Sequence, residues 1–156
     1  MFDMARSGDE TLLSYMEAGI PPNLTNNRGD TLLMLAAYHG HTALVRSMLT
    51  SLPNKPDPNQ LNGRGQSILA GVVFKGHADI VPLLLEAGAD PLAGQPSAED
   101  SAKMFNKWDG QEGFKDQFES APGRGQGAKD APPAVEDREE VRRVPGQGPQ
   151  ESQPSQ

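Results

Sequence analysis

Apolar residues occur at helical spacing in short blocks along the chain, and glycines divide these blocks. Around Gly40 the apolar residues are Leu33, Leu35, Ala36, Leu44, Val45 and Met48. Around Gly76 they are Leu69, Val72, Val73, Ile80, Val81 and Leu84. Such spacing is typical of an amphipathic helix, and glycine ends a helix because it adopts a left-handed conformation at little steric cost. Each block therefore predicts two short antiparallel helices that are separated by a glycine.

Polar residues mark where these helices begin. Thr31 and Ser67 precede the first helix of their blocks, and their side-chain oxygens suit the free amides of a first helical turn. Ser97 with Asp100 three residues later resembles a capping box, and it predicts a further helix. Gly88 is expected to close the second helix after Gly76. Pro82 is expected inside that second helix, where it removes an amide donor and can bend the helix.

The two blocks are copies of one unit. The segment GDTLLMLAAYHGHTALVRSML from Gly29 aligns with GQSILAGVVFKGHADIVPLLL from Gly65, a spacing of 36 residues. The run Asn26-Asn27-Arg28-Gly29 is echoed by Asn62-Gly63-Arg64-Gly65. Gly8 lies 32 residues before Gly40 and is again followed by an apolar pair, Leu12-Leu13, and then by Met16. One helix pair cannot bury its own apolar faces, so the units are predicted to stack.

These segments, and GHADIVPLLLEAGADP in particular, resemble the ankyrin repeat. The family period of about 33 residues is compatible with a three-residue insertion in the loop 52–58 and with a short first unit. The resemblance implies an all-α solenoid of stacked helix-turn-helix repeats, with units at about 1–28, 29–64, 65–94 and 95–120. Helix one lacks the Thr-Pro-Leu-His start of the family, since Leu32 and Ile68 replace its proline.

Residues 121–156 differ in composition from the repeats. This segment holds five glycines, six prolines and only three large apolar residues, Val135, Val141 and Val144. Burial of three valines would yield at most about 5–9 kcal/mol. Ordering the backbone would cost roughly 36–70 kcal/mol. A disordered tail is therefore predicted from residue 121 onward.

Composition and charge narrow the function. The chain has no cysteine, which excludes disulfides, thiolate catalysis and cysteine-based metal sites. Its 14 basic and 21 acidic residues give a net charge of −7, which disfavours direct binding of nucleic acid or of an anionic membrane. Residues 1–20 lack the pattern of a signal peptide, and no apolar run reaches the length of a membrane span. A monomeric cytoplasmic or nuclear protein is expected.

No set of residues predicts catalysis. His41 and His77 occupy equivalent repeat positions beside glycines, and this placement together with His39 favours structural roles over a zinc site. The acidic residues are scattered along the chain. No cofactor, no metal and no enzymatic activity are therefore expected.

The remaining candidate for a functional site is a surface that contacts another protein. By the ankyrin resemblance, a concave groove is lined by residues at the ends of the first helices and in the loops, namely Tyr38, His39, Phe74, Lys75, Asn27, Arg28, Asp30, Gly63, Arg64 and Gln66. The first unit has Arg6-Ser7 at the helix-end position, and the last has Met104-Phe105. Aromatic rings beside basic residues suit a protein-binding patch. The alternative is that Tyr38 and Phe74 only cover the seam between units.

The sequence therefore predicts a non-catalytic protein–protein interaction module, a small adaptor or regulator with another protein as its partner. A second hypothesis is an acidic chaperone or transcription coregulator that shields a basic client protein. The third hypothesis, an enzyme or a metal-binding protein, has no support from the residues.

Overall fold

The computed structural model describes residues 1–111 and 113–126, and within them the chain forms four consecutive helix pairs. The helices are α1 (Phe2–Ser7), α2 (Thr11–Glu17), α3 (Leu32–Tyr38), α4 (Thr42–Thr50), α5 (Ile68–Lys75), α6 (Val81–Glu86), α7 (Ala98–Met104) and α8 (Lys115–Glu119). No strand occurs in these two ranges, where a single antiparallel bridge joins Thr25 and Thr31. The predicted all-α solenoid is thereby confirmed.

The helices form two layers. In the inner layer α1 contacts α3, α3 contacts α5, and α5 contacts α7, while α4, α6 and α8 follow one another in the outer layer. The core lies between the layers and is continuous from Ala5 in α1 to Phe118 in α8. Because each pair packs mainly on its neighbours, the fold is a one-dimensional stack. None of the helices in the described residues has the length and hydropathy that crossing a bilayer requires.

The predicted helix starts are confirmed at three inner helices. The side-chain oxygen of Thr31 accepts from the amide of Met34 over 3.0 Å, and that of Ser67 accepts from the amide of Ala70 over 3.0 Å. Ser97 caps α7 in the same way, with 3.1 Å to the amide of Asp100. These hydroxyls satisfy amides that the first helical turn leaves free.

The inner helices end in a left-handed residue. Gly40 has a φ of 80° and Gly76 a φ of 81°, as the repeat alignment predicts. In the fourth pair Asn106, with a φ of 60°, takes this position. Asparagine tolerates the left-handed region better than most residues, so the fourth unit keeps the turn without a glycine.

The expectation for Pro82 was wrong. Pro82 is the second residue of α6 and lies in its first turn. Amides in a first turn have no partner within the helix, so proline removes no hydrogen bond there and its fixed φ suits the helix start. The reason is that α6 begins at Val81, later than the apolar pattern predicts.

Contacts with the stack continue beyond the predicted domain end at residue 120. The amide of Gly125 donates to Oδ1 of Asp90 over 2.8 Å, and Arg124 forms a 2.7 Å ion pair with Glu99. A Cβ on Gly123 would overlap the carbonyl oxygen of Gly88, so glycine permits this close approach. Residues 121–126 therefore pack on the third and fourth units, and the rest of the predicted tail lies outside the described residues.

Candidate binding groove

The candidate site starts from one repeat position at the ends of the inner helices. Arg6, Tyr38, Phe74 and Met104 occupy this position in α1, α3, α5 and α7. Tyr38 is 37% exposed, Phe74 55% and Met104 60%, although most of the residues before them in their helices are buried. Phe105, which follows α7, is 43% exposed. A row of large, accessible side chains thus crosses consecutive units.

Two loops face this row, and both are held by the same local hydrogen bonds. Oδ1 of Asn26 accepts from the amides of Arg28 and Asp30, at 2.9 and 3.0 Å. Oδ1 of Asn62 accepts from the amides of Arg64 and Gln66 at the same two distances. An asparagine that bonds its own loop in this way fixes a turn. The echo between 26–29 and 62–65 in the sequence therefore corresponds to one repeated turn.

Hydrogen bonds between neighbouring loops join these turns into a row. The amide of Gly63 donates to the carbonyl oxygen of Arg28 over 2.9 Å, and that of Gln95 donates to Gly65 over 2.9 Å. Nδ2 of Asn62 also donates to Oδ1 of Asp30 over 3.0 Å. The loops of the second, third and fourth units are thus fixed relative to one another.

The helix ends and the loops enclose a groove with a volume of about 480 Å³. We call it the inner groove. Of the residues predicted for the site, the groove is lined by Tyr38, His39, Phe74, Arg28, Asp30, Arg64 and Gln66. Asn27, Gly63 and Lys75, which were also predicted for the site, are not part of the lining. Arg6, Met104 and Phe105, which occupy the equivalent helix-end positions of the first and last units, also line the groove, and so does Pro96, which no repeat position indicated.

Aromatic contacts hold the exposed rings of the inner groove in place. Phe74 and Phe105 meet edge to face, with 5.3 Å between ring centroids and 62° between ring planes. The Tyr38 ring lies against the backbone of α5 at Gly71, where a Cβ would come within 3.2 Å of it. Nζ of Lys75 lies 5.3 Å from the Tyr38 centroid. Both rings therefore touch the next unit and remain accessible.

The charge of the inner groove is opposite to that of the whole chain. Its described lining residues include the guanidinium groups of Arg6, Arg28 and Arg64, and one carboxylate, Asp30. Arg6 forms an ion pair of 2.7 Å with Asp3. Neither Arg28 nor Arg64, both exposed, has an ion-pair partner in the described part of the chain.

Two histidines join the inner helices of neighbouring units. Nε2 of His41 donates to the carbonyl oxygen of Arg6 over 2.5 Å, and Nε2 of His77 donates to that of Tyr38 over 3.0 Å. In the fourth unit Nζ of Lys107 donates to the carbonyl oxygen of Val73 over 3.0 Å. The two histidine bonds supply partners to carbonyl groups at helix ends, whereas the carbonyl oxygen of Val73 also accepts from the amide of Gly76 over 3.1 Å. The predicted structural placement of His41 and His77 agrees with this geometry.

His39 differs from the other two histidines because it lines the inner groove and packs against Tyr38, with ring centroids 5.6 Å apart. Partial desolvation lowers the pKa of His39, and electrostatic interactions with His41, Lys75, Arg6 and His77 lower it further. Its imidazole is therefore harder to protonate than that of a free histidine. Among residues 1–111 and 113–126, no group of three or more histidine, aspartate or glutamate side chains is placed to hold a metal ion.

Comparison with known proteins decides the family. A family model described as ankyrin repeats, in three copies, matches residues 1–94. The chain belongs to the ankyrin repeat family. This match covers the first three helix pairs, and the fourth ankyrin-like pair α7–α8 lies beyond it.

Two named relatives are similar to parts of this ankyrin repeat chain. The ankyrin repeat protein PA3287 of Pseudomonas aeruginosa is 53% identical over 47 residues, which are 30% of this chain and 28% of PA3287. The crystal structure of the human ASB11 ankyrin repeat domain is 26% identical, has a TM-score of 0.52, and covers 58% of this chain. The chain spans 40% of that domain. Ankyrin repeats are generally protein–protein interaction modules, so the family assigns this chain to a class of protein-binding folds.

Proposed function

We propose that this chain is a non-catalytic adaptor or regulator that binds another protein in the inner groove. The observation that carries the proposal is the row of exposed side chains, Tyr38, Phe74, Met104 and Phe105, contributed by three consecutive units. Exposed aromatic residues grouped in a concavity are the usual anchors of a protein interface. Because hydrogen bonds already fix the loops opposite this row, little conformational entropy is lost on binding.

The proposal includes the absence of enzymatic activity. His41 and His77 are engaged in bonds between units, and Asp30 accepts a hydrogen bond from Asn62. A catalytic arrangement requires a nucleophile and a base that contact each other. The two histidines and Asp30 instead form hydrogen bonds that hold the units together. A monomer in the cytoplasm or nucleus also belongs to this proposal, and gel filtration and cell fractionation would test these two points.

The experiment is affinity capture with the full chain and with the double variant Tyr38→Ala, Phe74→Ala. Because both rings are more than one third exposed, we expect the double variant to unfold close to the temperature of the unchanged chain. We expect it to lose the proteins that the unchanged chain retains, since truncated interface aromatics often cost about 2 kcal/mol each. Tyr15→Ala is the matched control, because Tyr15 is 46% exposed on α2 and does not line the inner groove.

Tyr15→Ala is expected to retain the same proteins as the unchanged chain. Equal capture by the double variant would contradict the proposal. Unfolding of the double variant would support the alternative in which the two rings mainly seal the seam between units, because buried aromatic residues cost about 3–5 kcal/mol on truncation.

A further inference from the structure

The charge of the inner groove indicates the chemistry of its partner, and its sign is opposite to that of the net charge of the chain. The chain carries a net charge of −7, whereas the described lining holds one carboxylate and three guanidinium groups, of which only that of Arg6 is ion-paired, with Asp3. Oδ1 of Asp30 already accepts a hydrogen bond from Asn62. A cleft lined by one sign of charge concentrates groups of the opposite sign. The groove therefore attracts anionic groups although the protein as a whole repels them.

Arg28 and Arg64 are placed to make these contacts. They occupy the same position in two turns that Asn26 and Asn62 fix, and the amide of Gly63 joins the two turns through the carbonyl oxygen of Arg28. Both arginines are exposed and have no ion-pair partner among the described carboxylates. Arginine presents planar pairs of donors that match a carboxylate. Two such groups, one unit apart, face the apolar row of Tyr38 and Phe74.

We propose that the inner groove binds an acidic segment of a partner protein, with at least one aromatic or large aliphatic side chain beside its carboxylates. The carboxylates contact Arg28 and Arg64, and the apolar side chain packs among Tyr38, Phe74 and Phe105. This inference rests on the proposed function and specifies the chemistry of the partner. It is opposite to the basic client that the net charge alone suggested.

The chain's own C-terminal residues match this description less well than a partner does. Residues 127–156 contain six acidic and four basic residues, and no aromatic residue, leucine, isoleucine or methionine. Their nearly balanced charge offers little attraction to the two arginines, and valines are their largest apolar side chains. The proposal therefore assigns the groove to a segment of another protein.

Selection from random 12-residue peptides displayed on phage tests the proposal with the full chain as the immobilised target. Peptides selected by the unchanged chain are expected to be enriched in Asp and Glu together with Phe, Tyr, Trp, Leu or Met. The double variant Arg28→Glu, Arg64→Glu is expected to lose this acidic enrichment. Arg46→Glu is the control, because Arg46 is an exposed arginine of the outer helix α4 and does not line the groove.

A synthetic peptide from the selected pool measures how much Arg28 and Arg64 contribute to the affinity. Its affinity is expected to fall at least about tenfold with Arg28→Glu, Arg64→Glu, to fall with rising salt, and to stay unchanged with Arg46→Glu. A pool that depends on Tyr38 and Phe74 but is enriched in Lys and Arg would overturn this inference and leave the proposed function standing. A pool that does not depend on Tyr38 and Phe74 would overturn both. Displacement of the selected peptide by a peptide of residues 127–144 would assign the groove to this chain and overturn the partner claim.

Discussion

Gly40 and Gly76 occupy the same place in successive units, but they have different neighbours. A Cβ on Gly40 would lie 2.8 Å from the His77 ring, whereas a Cβ on Gly76 would meet only Nζ of Lys107, at 3.5 Å. Both glycines are left-handed, so most other residues strain the backbone there. Substitution therefore strains the backbone at both positions, and at Gly40 it also displaces the His77 ring.

We expect Gly76→Ala to lower the free energy of unfolding by about 1 kcal/mol, the cost of a left-handed alanine. Gly40→Ala should lower it by about 2 kcal/mol, because the displaced His77 ring also loses its hydrogen bond to Tyr38. Urea unfolding of the two variants measures the difference. Equal values would mean that the His77 bond contributes nothing to stability.

At the scale of single residues, the sequence predicts a role when the usual residue type performs it, but not when a different residue type takes its place. The roles of Thr31, Ser67, Gly40 and Gly76 follow from general rules of helix capping, because few residue types can perform them. Asn106 and Lys107 were not predicted, although they replace the glycine and the histidine of the earlier units. Their chemistry matches the role, but their residue types differ from the repeat, so the alignment gives no signal.

At the scale of elements, the segment 121–126 shows why composition alone misplaced the end of the packed region. Glycine and proline favour disorder on average, yet Gly123 permits close packing on Gly88, and Gly125 donates an amide to Asp90. Composition cannot distinguish a flexible glycine from one that a close contact requires. Arg124 forms its ion pair with Glu99, which lies 25 residues earlier in the sequence, so the composition of the segment itself does not reveal this contact.

Arg124→Ala is expected to destabilise the protein by about 1–3 kcal/mol, because it leaves the carboxylate of Glu99, which is 5% exposed, without its cation. Arg46→Ala, at an exposed position of α4, should change the free energy of unfolding by less than about 0.5 kcal/mol. Urea unfolding provides both values.

The pair can be isolated with a double variant. If Arg124 acts through Glu99, Arg124→Ala with Glu99→Gln should cost less than the sum of the two single variants. Strict additivity would show that Arg124 stabilises the chain by other contacts.

At the scale of the whole molecule, the net charge favours a basic partner, whereas the charges that line the inner groove favour an acidic one. The net charge of −7 belongs to side chains distributed along the chain, whereas Arg28 and Arg64 are brought to one groove by the stacking of units. The sequence predicts the repeat and hence the positions that line the groove. Which charges gather there depends on which loops become neighbours, and that follows from the fold and not from a sum over residues.

The stack also determines how a local defect spreads. Each unit is stabilised mainly by its neighbours, so a defect in a middle unit weakens two interfaces and a defect at an end weakens one. Leu69 is buried in α5, at the centre of the stack, and Phe118 is buried in α8, where it stacks on Phe114 at a centroid distance of 5.4 Å. Truncating either residue to alanine costs about 2–5 kcal/mol. The two variants should therefore differ in how far the loss extends, more than in its local size.

Trp108, the one tryptophan of the chain, allows this difference to be measured, since it packs near Phe118 with 6.2 Å between ring centroids. In urea, tryptophan fluorescence reports the fourth unit and far-UV circular dichroism reports all helices. For Leu69→Ala we expect both transitions to move together to lower urea, because the central interfaces support every unit. For Phe118→Ala we expect the fluorescence transition to precede the dichroism transition, because the fourth unit can unfold while α1 to α6 remain packed. Coincident transitions in Phe118→Ala would show that the four helix pairs unfold only as one unit.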